Sequence, residues 1–155
     1  MDIAELAHLV QQQADIEAIK QLKYRYCAFC DNGYDADGIA SLYTEDGVFE
    51  GDGGCFEGRE AIRKLFNGSD AAYEFAIHNV MNPIITVDGD EATGEWKLFQ
   101  PCTINGQAFW ISGVYRDRYV RIDGAWRFKH VTVRLLFCTP YDEGWAKTPF
   151  GISFG

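Results

Sequence analysis

From residue 77 to residue 137 apolar side chains recur at every second position, in four runs over 77–87, 92–101, 108–122 and 125–137. Period two is the repeat of a β-strand, whose successive side chains point to opposite faces. The joints are turn formers: Asp88-Gly89-Asp90, and Asp123-Gly124, which fits a two-residue hairpin. Strands linked that tightly are antiparallel neighbours, so the second half of the chain reads as a meander. Both faces of the runs carry apolar residues. Trp96, Leu98 and Gln100 share one face and Phe99 sits on the other, while Trp110 alternates with Phe109 and Ile111. A sheet covered on both sides, by helices and by another copy of the chain, accounts for that.

The first half has a different period. Ile16, Ile19, Leu22, Tyr26 and Phe29 recur at helical spacing, with Asp15 as N-cap and Asp31-Asn32-Gly33 as the stop. Gly33 suits the left-handed position that ends a helix. A shorter helix is expected over 37–43, then a strand over 48–50, a Gly-rich hairpin loop over 51–54 and a return over 55–57. Gly58-Arg59-Glu60 opens a third helix whose face is Ile62, Leu65 and Phe66. Helices first and a meander afterwards make the chain α+β. Long antiparallel strands covered by helices on one side curve, so the expected shape is a cone with an interior. Residues 1–155 form a single domain, with a core over about 12–137. The tail, 138–155, carries Tyr141, Trp145, Phe150 and Phe154, and is expected to pack over the domain or onto a neighbouring subunit.

Several function classes drop out. A net charge of −9 opposes a phosphate-binding surface, so no nucleic-acid partner is expected. No apolar run approaches the ~20 residues of a spanning helix, and no basic-then-apolar leader opens the chain, so the expected place is the cytoplasm, with no membrane partner. Five cysteines in such a chain read as free thiols. Cys27-Ala-Phe-Cys30 has the spacing of a redox pair but lies late in a helical pattern, and zinc would need a second pair. Three scattered histidines supply no metal shell, and no phosphate-loop, dinucleotide or nucleophile-elbow motif occurs. Cofactor-free chemistry is therefore expected. Aromatics at 15% suggest a pocket or an interface, and a small hydrophobic molecule is the expected ligand.

Several strings resemble the SnoaL-like family. They are Leu42-Tyr43-Thr44-Glu45-Asp46-Gly47-Val48-Phe49-Glu50, Phe56-Glu57-Gly58-Arg59-Glu60-Ala61-Ile62, His78-Asn79-Val80-Met81-Asn82-Pro83, Val87-Asp88-Gly89-Asp90 and Asp123-Gly124-Ala125-Trp126-Arg127-Phe128. The likeness spans about residues 12–135 and implies the cone of the superfamily of nuclear transport factor 2, ketosteroid isomerase and scytalone dehydratase. Within it the chain is most similar to the branch with scytalone dehydratase and hexachlorocyclohexane dehydrochlorinase. That branch pairs an Asp after the first helix with a His on the first long strand, which implies Asp31 and His78 as catalytic residues. Where scytalone dehydratase has a catalytic Tyr before that Asp, this chain has Cys30, so scytalone itself is an improbable substrate.

The residues themselves allow two readings of this pair: a solvated helix-ending Asp with a strand-starting His, or a base and its orienter. The resemblance selects the second. Strand parity places Asn82 with His78, facing the interior if no bulge intervenes, and Trp96 and Trp110 are candidate walls. Tyr26, one helical turn before Cys30, either donates its hydroxyl to a substrate oxygen or packs in the core. Arg134 either faces inward as a cation for an enolate or carboxylate, or forms a surface ion pair. Together these imply a cofactor-independent lyase or isomerase acting on an apolar ring compound. The alternative is a non-catalytic ligand-binding or partner subunit resembling the β subunits of ring-hydroxylating dioxygenases. A homodimer or homotrimer is expected in either case.

Overall fold

The structure is a computed structural model and describes residues 1–153; Phe154 and Gly155 lie outside the described residues. Helix α1 (Ile3–Asp31) and α2 (Ala36–Ser41) lead into β1 (Tyr43–Gly51) and β2 (Gly54–Glu57). Helices α3 (Arg59–Phe66) and α4 (Ser69–Ala72) follow, then β3 (Tyr73–Ala76), β4 (Asn79–Asp88), β5 (Glu91–Ile104), β6 (Gln107–Ile122) and β7 (Ala125–Pro140).

The seven strands form one curled sheet in the order β2-β1-β7-β6-β5-β3, with β4 also on β5. Helix α1 packs into its concave face. The α+β cone expected from the residue pattern is thus the observed architecture. The sheet is mixed rather than antiparallel throughout, because β1 runs parallel to β7. A parallel neighbour needs a crossover, and here that crossover is everything from β2 to β6.

Several element boundaries differ from expectation, and α4 and β3 were not expected at all. Helix α1 begins at Ile3, not after Asp15, because Asp2 and Glu5 form a reciprocal capping box. Asp15 is buried mid-helix, and its Oδ1 accepts from Arg121 Nη1 at 2.6 Å and Trp126 Nε1 at 3.0 Å. Tyr43 opens β1 instead of closing α2. β5 continues through Pro101 to Ile104 and turns at Asn105-Gly106, both left-handed (φ 51° and 72°). Pro101 is tolerated mid-strand because its neighbour on that side is broken: β3 stops at Ala76 and β4 starts at Asn79, and only Ile77 N–H reaches across, to Pro101 O at 3.1 Å.

The interior shows period two. On β5, Ala92, Gly94, Trp96, Leu98, Gln100, Cys102 and Ile104 are all buried; on β6 the buried set is Phe109, Ile111, Tyr115, Asp117 and Tyr119, joined by Gly113 and Val114 at a slip in the β6–β7 register. Among the aromatics stands one buried ion pair. Lys23 Nζ lies 2.8 Å from Asp117 Oδ2, with both side chains 0% exposed. Tyr119 donates to the same oxygen at 2.8 Å and accepts from Trp96 Nε1 at 3.0 Å. Lys23 Nζ also sits 3.4 Å from the centroid of the Tyr115 ring.

The tail packs on its own domain. Cys138 N–H donates to Pro149 O and Gly151 N–H to Cys138 O, each at 2.8 Å, and Trp145 stacks on Phe137.

Candidate active site

At one end of the cone lies a cavity of about 210 Å³. Its walls carry seven aromatic rings, Tyr26, Tyr34, Phe49, Phe56, Phe66, Tyr73 and Tyr115, beside aliphatic residues of β5, β6 and β7. The β1–β2 hairpin, through Gly51, Asp52, Gly53 and Gly54, and Leu65 and Ser69 of α3 and α4 also line it. His78, Gln100 and Asp52 are the strongly polar side chains among its lining residues.

Asp31 and His78 meet at this cavity, 47 residues apart in the chain. Asp31 is the last residue of α1, where the helix dipole disfavours a negative charge and a donor partner is needed. His78 supplies two donors. Its backbone N–H donates to Asp31 Oδ1 at 2.9 Å, and Nδ1 lies 2.7 Å from the same oxygen. A carboxylate only accepts, so Nδ1 carries a proton towards it and Nε2 is the nitrogen left to act on a ligand. Among the described residues no hydrogen bond engages Nε2. The His78 side chain is 6% exposed and lines the cavity, whereas Asp31 is 29% exposed behind it. Tyr34 holds the ring from the side, edge-on at 5.9 Å, and itself stacks on Phe66. Its backbone is left-handed (φ 52°), an unusual state for a Tyr, directly after Gly33 (φ 65°). Those two residues turn the chain so that the ring of Tyr34 swings back under the end of α1.

His78 does not belong to a strand; it sits in the gap between β3 and β4. Parity counted from it therefore does not carry along β4. The β4–β5 register slips between Met81 and Ile84, and Asn82 takes a left-handed backbone (φ 54°) at that bulge. Asn82 is exposed and outside the cavity. Trp96 shares the face of Leu98 and Gln100 but lies deeper under α1, with its N–H committed to Tyr119. Trp110 is on the outer face, stacked on Phe99 at 5.4 Å. Arg134 is exposed outside as well, since its neighbours Val133 and Leu135 take the inward positions. Tyr26 does line the cavity, and burial pushes its hydroxyl well above the ordinary phenol range, followed by the proximity of Cys30 and Tyr115. It is a neutral donor.

Gln100, Tyr34 and Tyr115 were not singled out as site residues. For Gln100 the signal was available, since it alternates in phase with Leu98. For Tyr34 the signal was weak, because a loop residue after a helix-ending glycine has no periodicity to place it.

Cys27 and Cys30 are both buried and unpaired. Burial pushes the Cys27 thiol up to about 12 and raises Cys30 as well, so the pair is held in its unreactive protonated form. Among the described residues no helix is long and apolar enough to cross a membrane.

Comparison with known proteins agrees with this architecture. A variant of a Mycobacterium tuberculosis protein of unknown function is 30% identical, with a TM-score of 0.75 over 82% of this chain and 75% of that one. An NTF2-like protein with a cystatin-like fold from Novosphingobium aromaticivorans is 26% identical, with a TM-score of 0.74 over 94% of each chain. The hexachlorocyclohexane dehydrochlorinase LinA-type3 from Novosphingobium barchaimii LL02 shares the fold at 24% identity, with a TM-score of 0.79 over 94% and 97%. The profile of the SnoaL-like domain matches residues 11–132, and the chain belongs to that family.

Proposed function

We propose that the protein is a cofactor-independent lyase or isomerase that removes a proton from carbon in a small apolar ring compound, with His78 as base and Asp31 as its orienting partner. The observation that carries this reading is the shared oxygen. Asp31 Oδ1 fixes the backbone and ring of His78 together and leaves Nε2 free of any protein partner among the described residues, on a side chain that lines an aromatic-walled cavity. A carboxylate behind an imidazole base orients the ring and stabilises the imidazolium formed on proton transfer. Similarity to a dehydrochlorinase, which by its name eliminates a small acid, supports the same class of chemistry.

The test is turnover of cyclic ketones and of halogenated or hydroxylated cyclohexanes, followed by NMR in deuterated water. His78→Ala is expected to lower the rate by ~10²–10⁴. Asp31→Asn should remove much of the same factor, and the double variant should be little slower than the slower single. Near-wild-type turnover in His78→Ala refutes the reading and leaves a ligand-binding subunit in its place.

Two further parts of the proposal concern assembly and location. The outer sheet face carries Ile84, Leu136 and the Phe99–Trp110–Tyr141 cluster, with Phe75 and Trp145 also exposed. That apolar surface supports a homodimer or homotrimer built on this face. Free thiols at all five cysteines support work in a reducing compartment such as the cytoplasm.

A further inference from the structure

Gln100 has hydrogen-bonding groups that the fold does not use. The residue is 5% exposed and lines the cavity, and among the described residues no hydrogen bond engages its amide. The amide is not among the wholly buried unpartnered groups, so it opens onto the cavity, free to hydrogen-bond what the cavity holds. The amide also has a defined neighbour. The pairs Ala76↔Cys102 and Asn79↔Phe99 bracket the break between β3 and β4 without a change of register, and Ile77 N–H to Pro101 O holds the break shut. His78 therefore falls directly opposite Gln100, where facing Cβ atoms are ~5 Å apart. Both side chains line the cavity there.

We propose that Gln100 binds a substrate oxygen beside the carbon that His78 deprotonates, so that the cavity selects a small cyclic ketone over a hydrocarbon or halocarbon of the same shape. This rests on the reading of His78 as base. As the C–H bond breaks, its proton goes to Nε2, its electron pair forms a C=C bond, and the C=O pair moves onto oxygen. The Gln100 NH₂ donates to that oxygen as charge builds on it. Collapse of the enolate re-forms C=O, and the displaced pair either expels a β leaving group, which receives the proton from His78, or, in a β,γ-unsaturated ketone, shifts through the second C=C and takes the proton back at the γ carbon. Size narrows the class further: about 210 Å³ is below the ~300–1,000 Å³ of pockets for larger ligands, which suits one or two fused rings and not a four-ring skeleton.

The experiment uses tetralone and tetralin, a bicyclic ketone and its oxygen-free counterpart. Calorimetry on the wild type should give about tenfold tighter binding of the ketone, the worth of a well-placed hydrogen bond. The infrared carbonyl stretch of bound tetralone should move to lower frequency. In Gln100→Met, which matches the side chain in length, the ratio should fall to about one with tetralin affinity retained, and the stretch should return to its position in an apolar solvent. Equal affinities in the wild type, an unshifted stretch, or failure of tetralone to bind overturns the proposal, as does a preference that survives in Gln100→Met. The wild-type spectrum does not depend on how the variant folds. Hydrogen exchange beside the carbonyl, lost in His78→Ala, reads the base separately. Ketone preference without exchange would refute the role of His78 and leave Gln100 as assigned.

Discussion

Replacing Lys23 by Met isolates the energetics of the buried ion pair. Both partners are wholly buried, and the Met side chain fills most of the lysine's space while removing its charge. Asp117 would keep only the Tyr119 hydroxyl, on Oδ2; its Oδ1 has no partner even in the intact protein. Breaking a buried pair by deleting one member costs ~3–5 kcal/mol, because the other charge stays behind. For a chain of this length an unfolding entropy of ~2 cal/mol/K per residue converts that into a fall in Tm of about 9–15 °C. The pH dependence gives an internal check. Burial raises the Asp117 carboxyl above its ordinary range, and Lys23 is the main influence opposing the rise. Without Lys23 it rises further, so the folded variant holds a proton that the unfolded chain has released. Its stability then falls as pH increases from the ordinary carboxylate range towards the raised value, by up to ~1.4 kcal/mol per pH unit, and recovers on acidification. Thermal and urea unfolding at several pH values should show the deficit largest at neutral pH and smallest in acid. The double variant Lys23→Met/Asp117→Asn, which keeps an acceptor for Tyr119, should regain most of the loss. A deficit below ~1 kcal/mol that does not change with pH would refute the charge-burial argument.

Asp15→Ala should destabilise by ~2–3 kcal/mol in urea unfolding, since it strips Trp126 Nε1 of its acceptor and Arg121 of one of two carboxylates. Gly113→Ala should also destabilise, because a Cβ there would stand 2.9 Å from the Arg134 carbonyl oxygen, and circular dichroism melts will read the shift. Thiol titration of the native protein should find one fast-reacting cysteine, the exposed Cys55, and four more on unfolding; rapid reaction at Cys27 or Cys30 would contradict their burial. Light scattering at micromolar concentrations should give the mass of two or three chains, and the mass of one chain would refute the proposed assembly.

What was legible in the sequence was periodic. Alternation along 92–101 and 108–122 sorted the side chains onto the correct faces without saying which face is inner, so Trp110, a candidate wall, lies on the outer one; Asp123-Gly124, both left-handed, made the expected hairpin. What was not legible came from places where periodicity stops. Asn82 seemed to share a face with His78 only because 77–87 read as an unbroken strand; the gap at Ile77-His78 and the bulge at Asn82 each reset the phase. Arg134 offered two orientations, and its own strand could not choose between them without the slips in β6–β7 pairing. Trp96 had the right face and the wrong depth, which depends on where α1 crosses the sheet. The partnership of Lys23 with Asp117, 94 residues apart, has no local signal at all.

The double grip of Asp31 on residue 78 separates architecture from reactivity. One of its two hydrogen bonds goes to the main chain, and any amino acid except proline offers that same N–H. An alanine at 78 therefore leaves the strand break pinned to the end of α1 and the surrounding walls in place, while deleting the basic nitrogen. Such a protein would hold its cargo without converting it. Expressed in its native host, purified quickly and sprayed intact into a mass spectrometer, His78→Ala is a bait from which the physiological small molecule can be weighed and identified.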